Sequence, residues 1–120
     1  EIVSRDWSSD VCSSDLRAGL ISLPGVATPS EVAAAKKYGA DILKLFPAST
    51  FGPAHLKALR DPFPGNFWCP TGGLSADSVG EWFAAGANIV GVGGPLIKGG
   101  MDAIESNVKA FLEAVAKARG

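Results

Sequence analysis

A single lysine lies in the middle of a short apolar segment, Asp41-Ile-Leu-Lys-Leu-Phe-Pro47. In a strand, side chains alternate between two faces, so Lys44 would share one face with Ile42 and Phe46 and leave two leucines on the other. Desolvation of a lysine amine is costly and favours its neutral, nucleophilic form, which makes Lys44 a candidate nucleophile. The alternative is an ordinary lysine whose stem is buried and whose ammonium reaches solvent or a carboxylate.

Glycine-rich turns follow two further apolar segments. The segment Phe67–Pro70 runs into Thr71-Gly72-Gly73, and the segment Asn88–Val92 runs into Gly93-Gly94-Pro95. Backbone N–H groups of glycine can approach an anion closely, and a helix N-terminus adds positive partial charge. Either cluster alone is explained by a tight turn, but two clusters at neighbouring strand ends favour a phosphate site.

The elements that would position these residues alternate along the chain from residue 17 onward. Strands are predicted over 18–23, 41–47, 67–70 and 88–92, and helices over 28–38, 53–60, 75–86 and 101–118. Four strand-helix units predict an α/β protein whose parallel sheet is covered by helices, either doubly wound or closed into a barrel. The segment Gly91-Val-Gly-Gly-Pro95 has neither the spacing nor the position of a dinucleotide fingerprint. Four units are half of an eight-stranded barrel, for which about 250 residues are typical, so the other half is expected upstream.

The predicted helices begin at recognisable caps. Thr28 is the N-cap of the first helix, because a proline follows it and Glu31 stands three residues later. Glu31 is therefore interpreted as a capping residue, and Ser75 caps the third helix. His55 falls within the second helix and is interpreted as a surface residue, although its type would also suit an acid or base. The apolar stripe of the last helix is predicted to include Leu112.

The first stretch of the chain, residues 1–16, does not follow this pattern. Arg5–Leu16 contains a doubled Ser-Ser-Asp and no strand or helix period, and Asp10–Leu16 back-translates to a sequence that resembles a sequencing-library adapter. We expect residues 1–16 to be a non-native, adapter-derived or disordered segment, with an ordinary Ser/Asp-rich loop as the alternative. Trp7 and Cys12 then have no functional role.

The composition is that of one globular domain, with 120 residues of which 47% are hydrophobic and 19% charged. A net charge of -1 without a Lys/Arg cluster argues against nucleic acid as a partner. The apolar runs are short and broken by glycine or proline, so no membrane span is predicted. Cys12 and Cys69 have neither metal-ligand nor redox spacing, and with no secretory leader the chain is expected to be cytoplasmic.

Four motifs taken together resemble a known family. Pro24-Gly-Val-Ala-Thr-Pro-Ser-Glu31, Lys44-Leu-Phe-Pro-Ala48, Pro70-Thr-Gly-Gly73 and Ala85-Gly-Ala87 with Val90-Gly-Val-Gly93 are similar, in order and spacing, to motifs of the class I aldolases that cleave 2-keto-3-deoxy-6-phosphogluconate and related keto acids. The resemblance covers about residues 20 to 118. It implies the second half of a TIM (β/α)8 barrel, strands five to eight, a small phosphorylated keto acid as substrate, a homotrimer in many members, and no metal or organic cofactor.

The resemblance also implies a role for individual residues. Lys44 corresponds to the lysine that forms a Schiff base with the substrate ketone. Thr71 would bind the pyruvyl part, and Phe46 and Pro24 would be dry pocket walls that keep the amine uncharged. The phosphate would be held by the backbone N–H groups of Gly72, Gly73, Gly93 and Gly94.

The chain departs from the family pattern at two points. Many relatives have serine where this chain has Gly94, which removes one hydroxyl donor to phosphate. The family's general base is a glutamate on an early strand with an arginine nearby, and neither region is present, so the chain as given is expected to be truncated and inactive. A phosphate-binding barrel isomerase or synthase and an inert half barrel are the alternatives. The motifs leave open the gluconate or galactonate epimer and 4-hydroxy-2-oxoglutarate as substrates.

Overall fold

Parallel strands form one sheet in the computed structural model, which describes residues 2–6, 16–40 and 42–120. The strands lie side by side in chain order: β1 (Ile2–Asp6), β2 (Ile21–Val26), β3 (Ile42–Leu45) and β4 (Phe67–Trp68). The helices are α1 (Pro29–Lys37), α2 (Ala48–Arg60), α3 (Val79–Ala84), α4 (Gly94–Ile97) and α5 (Ile104–Arg119), with turns of 3₁₀ helix at Ala76–Ser78 and Met101–Ala103. The predicted α/β class with a parallel sheet is confirmed.

The two faces of β3 differ in burial. Leu43 and Leu45 are completely buried, whereas Ile42 and Lys44 are half-buried and Phe46, just after the strand, is 46% exposed. The face with the two leucines belongs to the hydrophobic core. The other face, with Lys44 at its centre, is partly open.

The hydrophobic core lies between the sheet and the helices. Its members from the strands and from α1, α2 and α3 include Leu43, Leu45, Trp68, Val32, Ala35, Leu56, Leu59 and Trp82. Full burial of a large apolar side chain contributes about 1.5–3 kcal/mol relative to exposure. Packing of Leu43 and Leu45 in this core holds β3 in place and directs Lys44 to the opposite face of the sheet.

The predicted caps of the first and third helices are confirmed. The Thr28 hydroxyl accepts a hydrogen bond from the Glu31 N–H at 3.3 Å, and the Glu31 carboxylate accepts from the N–H groups of Thr28 at 2.9 Å and Ala27 at 2.8 Å. Ser75 and Ser78 form the equivalent reciprocal pair before α3. Glu31 is thus a capping residue, as its position in the sequence indicated.

The second helix begins earlier than predicted. α2 starts at Ala48 and continues through Pro53, with a break at Gly52, whose φ of 77° lies in the left-handed region that glycine adopts without strain. Its first turn is held from outside the helix, because the Ala48 N–H donates to the Thr71 carbonyl at 2.8 Å and the Ser49 N–H donates to the Gly72 carbonyl at 3.0 Å. Long-range hydrogen bonds that local sequence does not encode therefore fix this start.

The predicted strand over Asn88–Val92 is wrong. The structure has only one isolated parallel bridge in this region, between Thr71 and Gly91. The Trp68 N–H donates to the side-chain oxygen of Asn88 at 2.9 Å rather than to a backbone carbonyl, and the N–H groups of Asn88 and Ile89 both reach the Trp68 carbonyl. A side chain thus takes the place of a ladder partner, and the regular ladder does not form.

The N-terminal stretch differs from expectation in part. Arg5 and Asp6 end β1, which pairs in parallel with β2 from Ile2 opposite Ile21 to Asp6 opposite Gly25, although no strand period was predicted there. Ladder hydrogen bonds use the backbone, so tertiary pairing can form a strand that the side-chain pattern does not indicate. Residues 7–15, with Trp7 and Cys12, lie outside the described residues, and the non-native origin of residues 1–16 stays a prediction.

The longest helix, α5, buries a narrow stripe. Phe111 is 9% exposed, whereas Leu112 is 64% exposed, so placing Leu112 on the buried stripe was wrong. Consecutive helical residues point about 100° apart, and the stripe accommodates only one of this pair. No helix in the part of the chain that the structure describes is long and apolar enough to cross a membrane.

Candidate active site

Lys44 lies in the centre of the open sheet face. In the register of the sheet it is opposite Gly25 of β2, which has no side chain. The Lys44 Nζ is 5.2 Å from the centroid of the Phe46 ring, two residues further along the chain. The face that carries Lys44 therefore combines one amine, one aromatic ring and a glycine on the neighbouring strand.

Cys69 follows β4 and lies next to Lys44 on the edge of β3 opposite β2. The sequence did not predict this placement. The Cys69 N–H donates to the Leu43 carbonyl at 2.9 Å, and the side chain is 4% exposed. Burial raises the pKa of the Cys69 thiol, while the Thr71 hydroxyl and the positive charge of Lys44 act in the opposite direction. The sequence signal that could have indicated this placement is that Cys69 lies in the predicted strand Phe67–Pro70, two residues before Thr71.

Thr71 is brought to the same end of the sheet. Its N–H donates to the Leu45 carbonyl at 3.0 Å, and its hydroxyl donates to the Cys69 carbonyl at 3.2 Å. The hydroxyl oxygen is also 3.7 Å from the Cys69 sulfur. The Cys69 thiol is thus near the Thr71 hydroxyl and is also within the electrostatic influence of Lys44.

The two expected pocket walls have different positions. Phe46 is near Lys44, but at 46% exposure it is a partial wall rather than a dry one. Pro24 is completely buried and precedes Gly25, so it projects from the opposite face of β2. The structure therefore brings Phe46 together with Lys44 and does not bring Pro24 to that face.

The four glycines expected to bind phosphate fall into two pairs. Gly72 and Gly73 have φ values of 95° and 75°, and a Cβ on Gly72 would lie 3.1 Å from the Phe46 ring. Gly93 and Gly94 lack positive φ, and a Cβ on either would meet nothing within 4 Å. The first pair is therefore explained by backbone conformation and packing, and local sterics do not require the second pair to be glycine.

A cavity of about 540 Å³ lies between the turn after β4 and the segment around α4. Ser75 and Ala76 line it on one side and Gly94 and Lys98 on the other, with α5 behind. Lys98 adds a cation to a cavity that Gly94 also lines. Among the described residues, no three His, Cys, Asp or Glu side chains are grouped so that they could hold a metal ion.

His55 is not the surface residue that its sequence context suggested. Its Nε2 is 2.6 Å from the Ala27 carbonyl, to which the ring N–H donates, and the ring stacks on Phe51 with centroids 4.7 Å apart. The side chain is half-buried and ties α2 to the loop after β2. A hydrogen bond across 28 residues is not visible in local sequence.

Comparison with known proteins gives one consistent result. The family described as KDPG and KHG aldolase matches residues 2–114. The chain is 33% identical over 121 residues to 2-dehydro-3-deoxy-6-phosphogalactonate aldolase of Escherichia coli K12, covering 95% of this chain and 59% of that protein. It is 47% identical over 73 residues to 2-dehydro-3-deoxy-phosphogluconate aldolase of Pseudomonas aeruginosa, covering 60% of this chain and 33% of that protein. These relatives are aldehyde-lyases, and the chain spans at most about three fifths of their length.

Solved structures agree with this result. A native KDPGal structure superposes with a TM-score of 0.92 at 30% identity, covering 98% of this chain and 59% of that one. A KDPG aldolase from Legionella pneumophila, solved with pyruvate captured as a covalent carbinolamine intermediate, gives a TM-score of 0.75 at 26% identity and covers 95% and 55%. By sequence and by fold, the chain belongs to the KDPG and KHG aldolase family.

Proposed function

We propose that the intact protein is a class I aldolase in which Lys44 forms a Schiff base with a 2-keto-3-deoxy-6-phospho sugar acid. The main support is the placement of Lys44, half-buried on a sheet face between Gly25 and the Cys69–Thr71 pair. Because Lys44 is only half-buried and the residue opposite it on β2 is a glycine, no side chain at that position of β2 would block a ketone from the amine. The covalent carbinolamine named for the Legionella pneumophila relative is the intermediate that precedes such an imine.

The proposed reaction begins with the neutral amine of Lys44. The amine adds to the C2 ketone, and loss of water leaves a protonated imine that acts as an electron sink. A base removes the proton of the C4 hydroxyl, the C3–C4 bond breaks, and its electron pair moves into the enamine. The products are glyceraldehyde 3-phosphate and, after protonation of the enamine carbon and hydrolysis of the imine, pyruvate and free Lys44.

The neighbouring residues are assigned to substrate binding. Thr71 would hydrogen-bond the pyruvyl part, and its hydroxyl lies 3.7 Å from the sulfur of Cys69, the residue on which the Lys44 charge acts. Phe46 would form one wall, whereas Pro24, on the opposite face of β2, is left out of the site. The phosphate would lie against the N–H groups of Gly72, Gly73, Gly93 and Gly94, and Lys98 supplies a cation near Gly94.

We further propose that β2, β3, β4 and the segment around Gly91 are strands five to eight of a TIM barrel. The parallel pairing of β2, β3 and β4 and the parallel bridge between Thr71 and Gly91 support this order. The open face that carries Lys44 is then the barrel interior, which strands outside this chain would complete. On the family resemblance alone, the intact protein would be a homotrimer, and the spacing of Cys12 and Cys69, which suits neither metal nor redox chemistry, favours the cytoplasm.

The chain by itself is proposed to have little or no cleavage activity. The family's general base and its arginine belong to an early strand, and this chain spans 59% of the Escherichia coli relative. Glu31 does not replace that base, because its carboxylate accepts hydrogen bonds from Ala27 and Thr28. Names of relatives include both galactonate and gluconate aldolases, and the proposed substrate class covers both epimers.

Incorporation of labelled pyruvate after borohydride reduction tests the proposal without requiring the missing base. The wild-type chain should incorporate label, Lys44→Met should lose nearly all of it, and Lys57→Met, an exposed lysine on α2, should retain it. Circular dichroism of the same samples reports folding. No label on a folded wild-type chain would contradict the imine and favour the isomerase or synthase, while an unfolded wild-type chain would favour the inert half barrel.

A further inference from the structure

Gly91 is the partner of Thr71 in the isolated bridge that follows β4. The Gly91 N–H donates to the Pro70 carbonyl at 2.9 Å, and the Thr71 N–H donates to the Leu45 carbonyl at 3.0 Å. The Thr71 backbone is thus held between the strand that carries Lys44 on one side and Gly91 on the other. Two independent backbone contacts leave Thr71 little freedom to move away from Gly91.

The backbone conformation of Gly91 does not require glycine. Nine described glycines have positive φ, but Gly91 is not one of them. The reason for a glycine here must therefore be space rather than conformation. A Cβ built on Gly91 would overlap the Thr71 hydroxyl oxygen and would lie 2.9 Å from its Cγ2 and 3.1 Å from its Cβ.

The Thr71 side chain has no easy way to avoid such a Cβ. Threonine carries two heavy atoms on its own Cβ, so a rotation that removes one from the contact changes the position of both. In the observed rotamer the hydroxyl donates to the Cys69 carbonyl and lies 3.7 Å from the Cys69 sulfur. The bare Cα of Gly91 is what gives this rotamer room.

We propose that Gly91 is a positioning residue that fixes the Thr71 hydroxyl on the Lys44 side of the sheet. This inference rests on the proposed function, because it gives Gly91 its importance through the contact between Thr71 and the pyruvyl group. In the proposed mechanism Gly91 has no substrate contact of its own. The steric argument is specific to Gly91, because a Cβ on Gly93 or Gly94 would meet nothing within 4 Å.

A double-mutant cycle with Gly91→Ala, Thr71→Ala and the combined variant tests the inference. The functional readout is the pyruvate concentration that gives half-maximal borohydride trapping. Gly91→Ala should raise it roughly tenfold, as a misplaced binding group does. Thr71→Ala should raise it similarly, and the combined variant should be no worse than Thr71→Ala. Gly80→Ala, on α3 where a Cβ would meet nothing within 4 Å, is the matched control and should leave it unchanged.

Denaturant unfolding of the same variants gives a readout that needs no substrate. Gly91→Ala should lower the unfolding midpoint of the wild-type chain, because the new Cβ would crowd the Oγ1, Cγ2 and Cβ atoms of Thr71. The decrease should be much smaller in the Thr71→Ala background, where Oγ1 and Cγ2 are absent. If Gly91→Ala does not fold, the combined variant must fold; an unfolded combined variant would overturn the inference. The control shows any general effect of Gly→Ala on the unfolded chain.

The outcomes separate the inference from the function on which it rests. A wild-type chain that traps pyruvate, with Gly91→Ala trapping at the wild-type concentration, would overturn the inference and leave the aldolase proposal intact. The inference would also be overturned if Gly91→Ala changed the half-maximal pyruvate concentration by the same factor in the wild-type and Thr71→Ala backgrounds. The effect of Gly91→Ala would then not act through Thr71. A folded wild-type chain that traps no pyruvate would overturn the aldolase proposal, and the unfolding cycle would still decide whether Gly91 holds Thr71.

Discussion

The Lys44 Nζ lies 5.2 Å from the centroid of the Phe46 ring, on the same face of the sheet. The two residues are separated by one position, and the period of a strand puts both on the side opposite Leu45. The same ring packs against Gly72, where a Cβ would lie 3.1 Å from it. Phe46 therefore connects the lysine to the glycine turn that follows β4.

The charge of Lys44 should affect the rate at which the Cys69 thiol is alkylated. Burial raises the pKa of the Cys69 thiol, and the charge of Lys44 partly offsets this increase. Lys44→Met should therefore slow alkylation of Cys69 by iodoacetamide a few-fold at a given alkaline pH, because the thiolate is the reactive form. Peptide mass mapping separates Cys69 from Cys12. Equal Cys69 rates in wild type and Lys44→Met, with Lys57→Met as the control, would show that the charge does not reach the thiol.

Glu31 should make the stability of the fold depend on pH in the acid range. Burial alone would raise the pKa of this carboxyl, but hydrogen bonds from the N–H groups of Ala27 and Thr28 and from the Thr28 hydroxyl lower it below its ordinary 4.5. Because the pKa of Glu31 is lower in the folded state than in the unfolded state, the carboxylate stabilises the fold at pH values above the unfolded-state pKa. This stabilisation is lost as the pH falls through the folded-state pKa. The urea midpoint of the wild type should therefore fall between about pH 5 and pH 3.

Glu31→Gln should remove this part of the pH dependence. The matched control is Glu113→Gln, on an exposed position of α5, which should keep the wild-type slope. Parallel slopes for wild type and Glu31→Gln would contradict the assigned role of the capping carboxylate.

Truncation of Leu43, the core residue next to Lys44 in the chain, should destabilise the fold much more than truncation of the exposed Leu112. Leu43 is completely buried on the core-facing side of β3, and Leu112 is 64% exposed on α5. Leu43→Ala should cost about 2–5 kcal/mol of unfolding free energy through lost burial and the cavity left behind. Leu112→Ala should change it by less than about 0.5 kcal/mol. Chemical denaturation measures the unfolding free energy of both variants. Similar losses would contradict the assignment of Leu43 to the core and of Leu112 to the surface.

The sequence predicted those parts of the fold that depend on local chemistry. Thr28 and Ser75 were recognised as caps because the hydroxyl and its partner stand three residues apart, and their hydrogen bonds are within one turn. Ile42–Leu45 was recognised as a strand from its apolar run. The parallel α/β class followed from the alternation of such segments with helical patterns.

The parts that could not be predicted depend on contacts between distant residues. The start of α2 at Ala48 is set by the Thr71 carbonyl, and the missing strand near residue 90 by the Asn88 side chain on the Trp68 N–H. In the candidate site, Lys44 was identified as a lone lysine in an apolar segment and by motif resemblance, and the role of Thr71 was identified by the resemblance. Cys69 was missed, because its closeness to Lys44 arises only when β3 and β4 pair.

Peptide mapping of the reduced pyruvate adduct is the most direct test of the central claim, that Lys44 forms the imine. The chain has seven lysines, and after borohydride reduction tandem mass spectrometry assigns the adduct to one or more of them. We expect the adduct on Lys44, and we expect it to be absent when the chain is unfolded before pyruvate is added. An adduct spread over Lys36, Lys57, Lys98 and the other lysines, or one that survives unfolding, would contradict it.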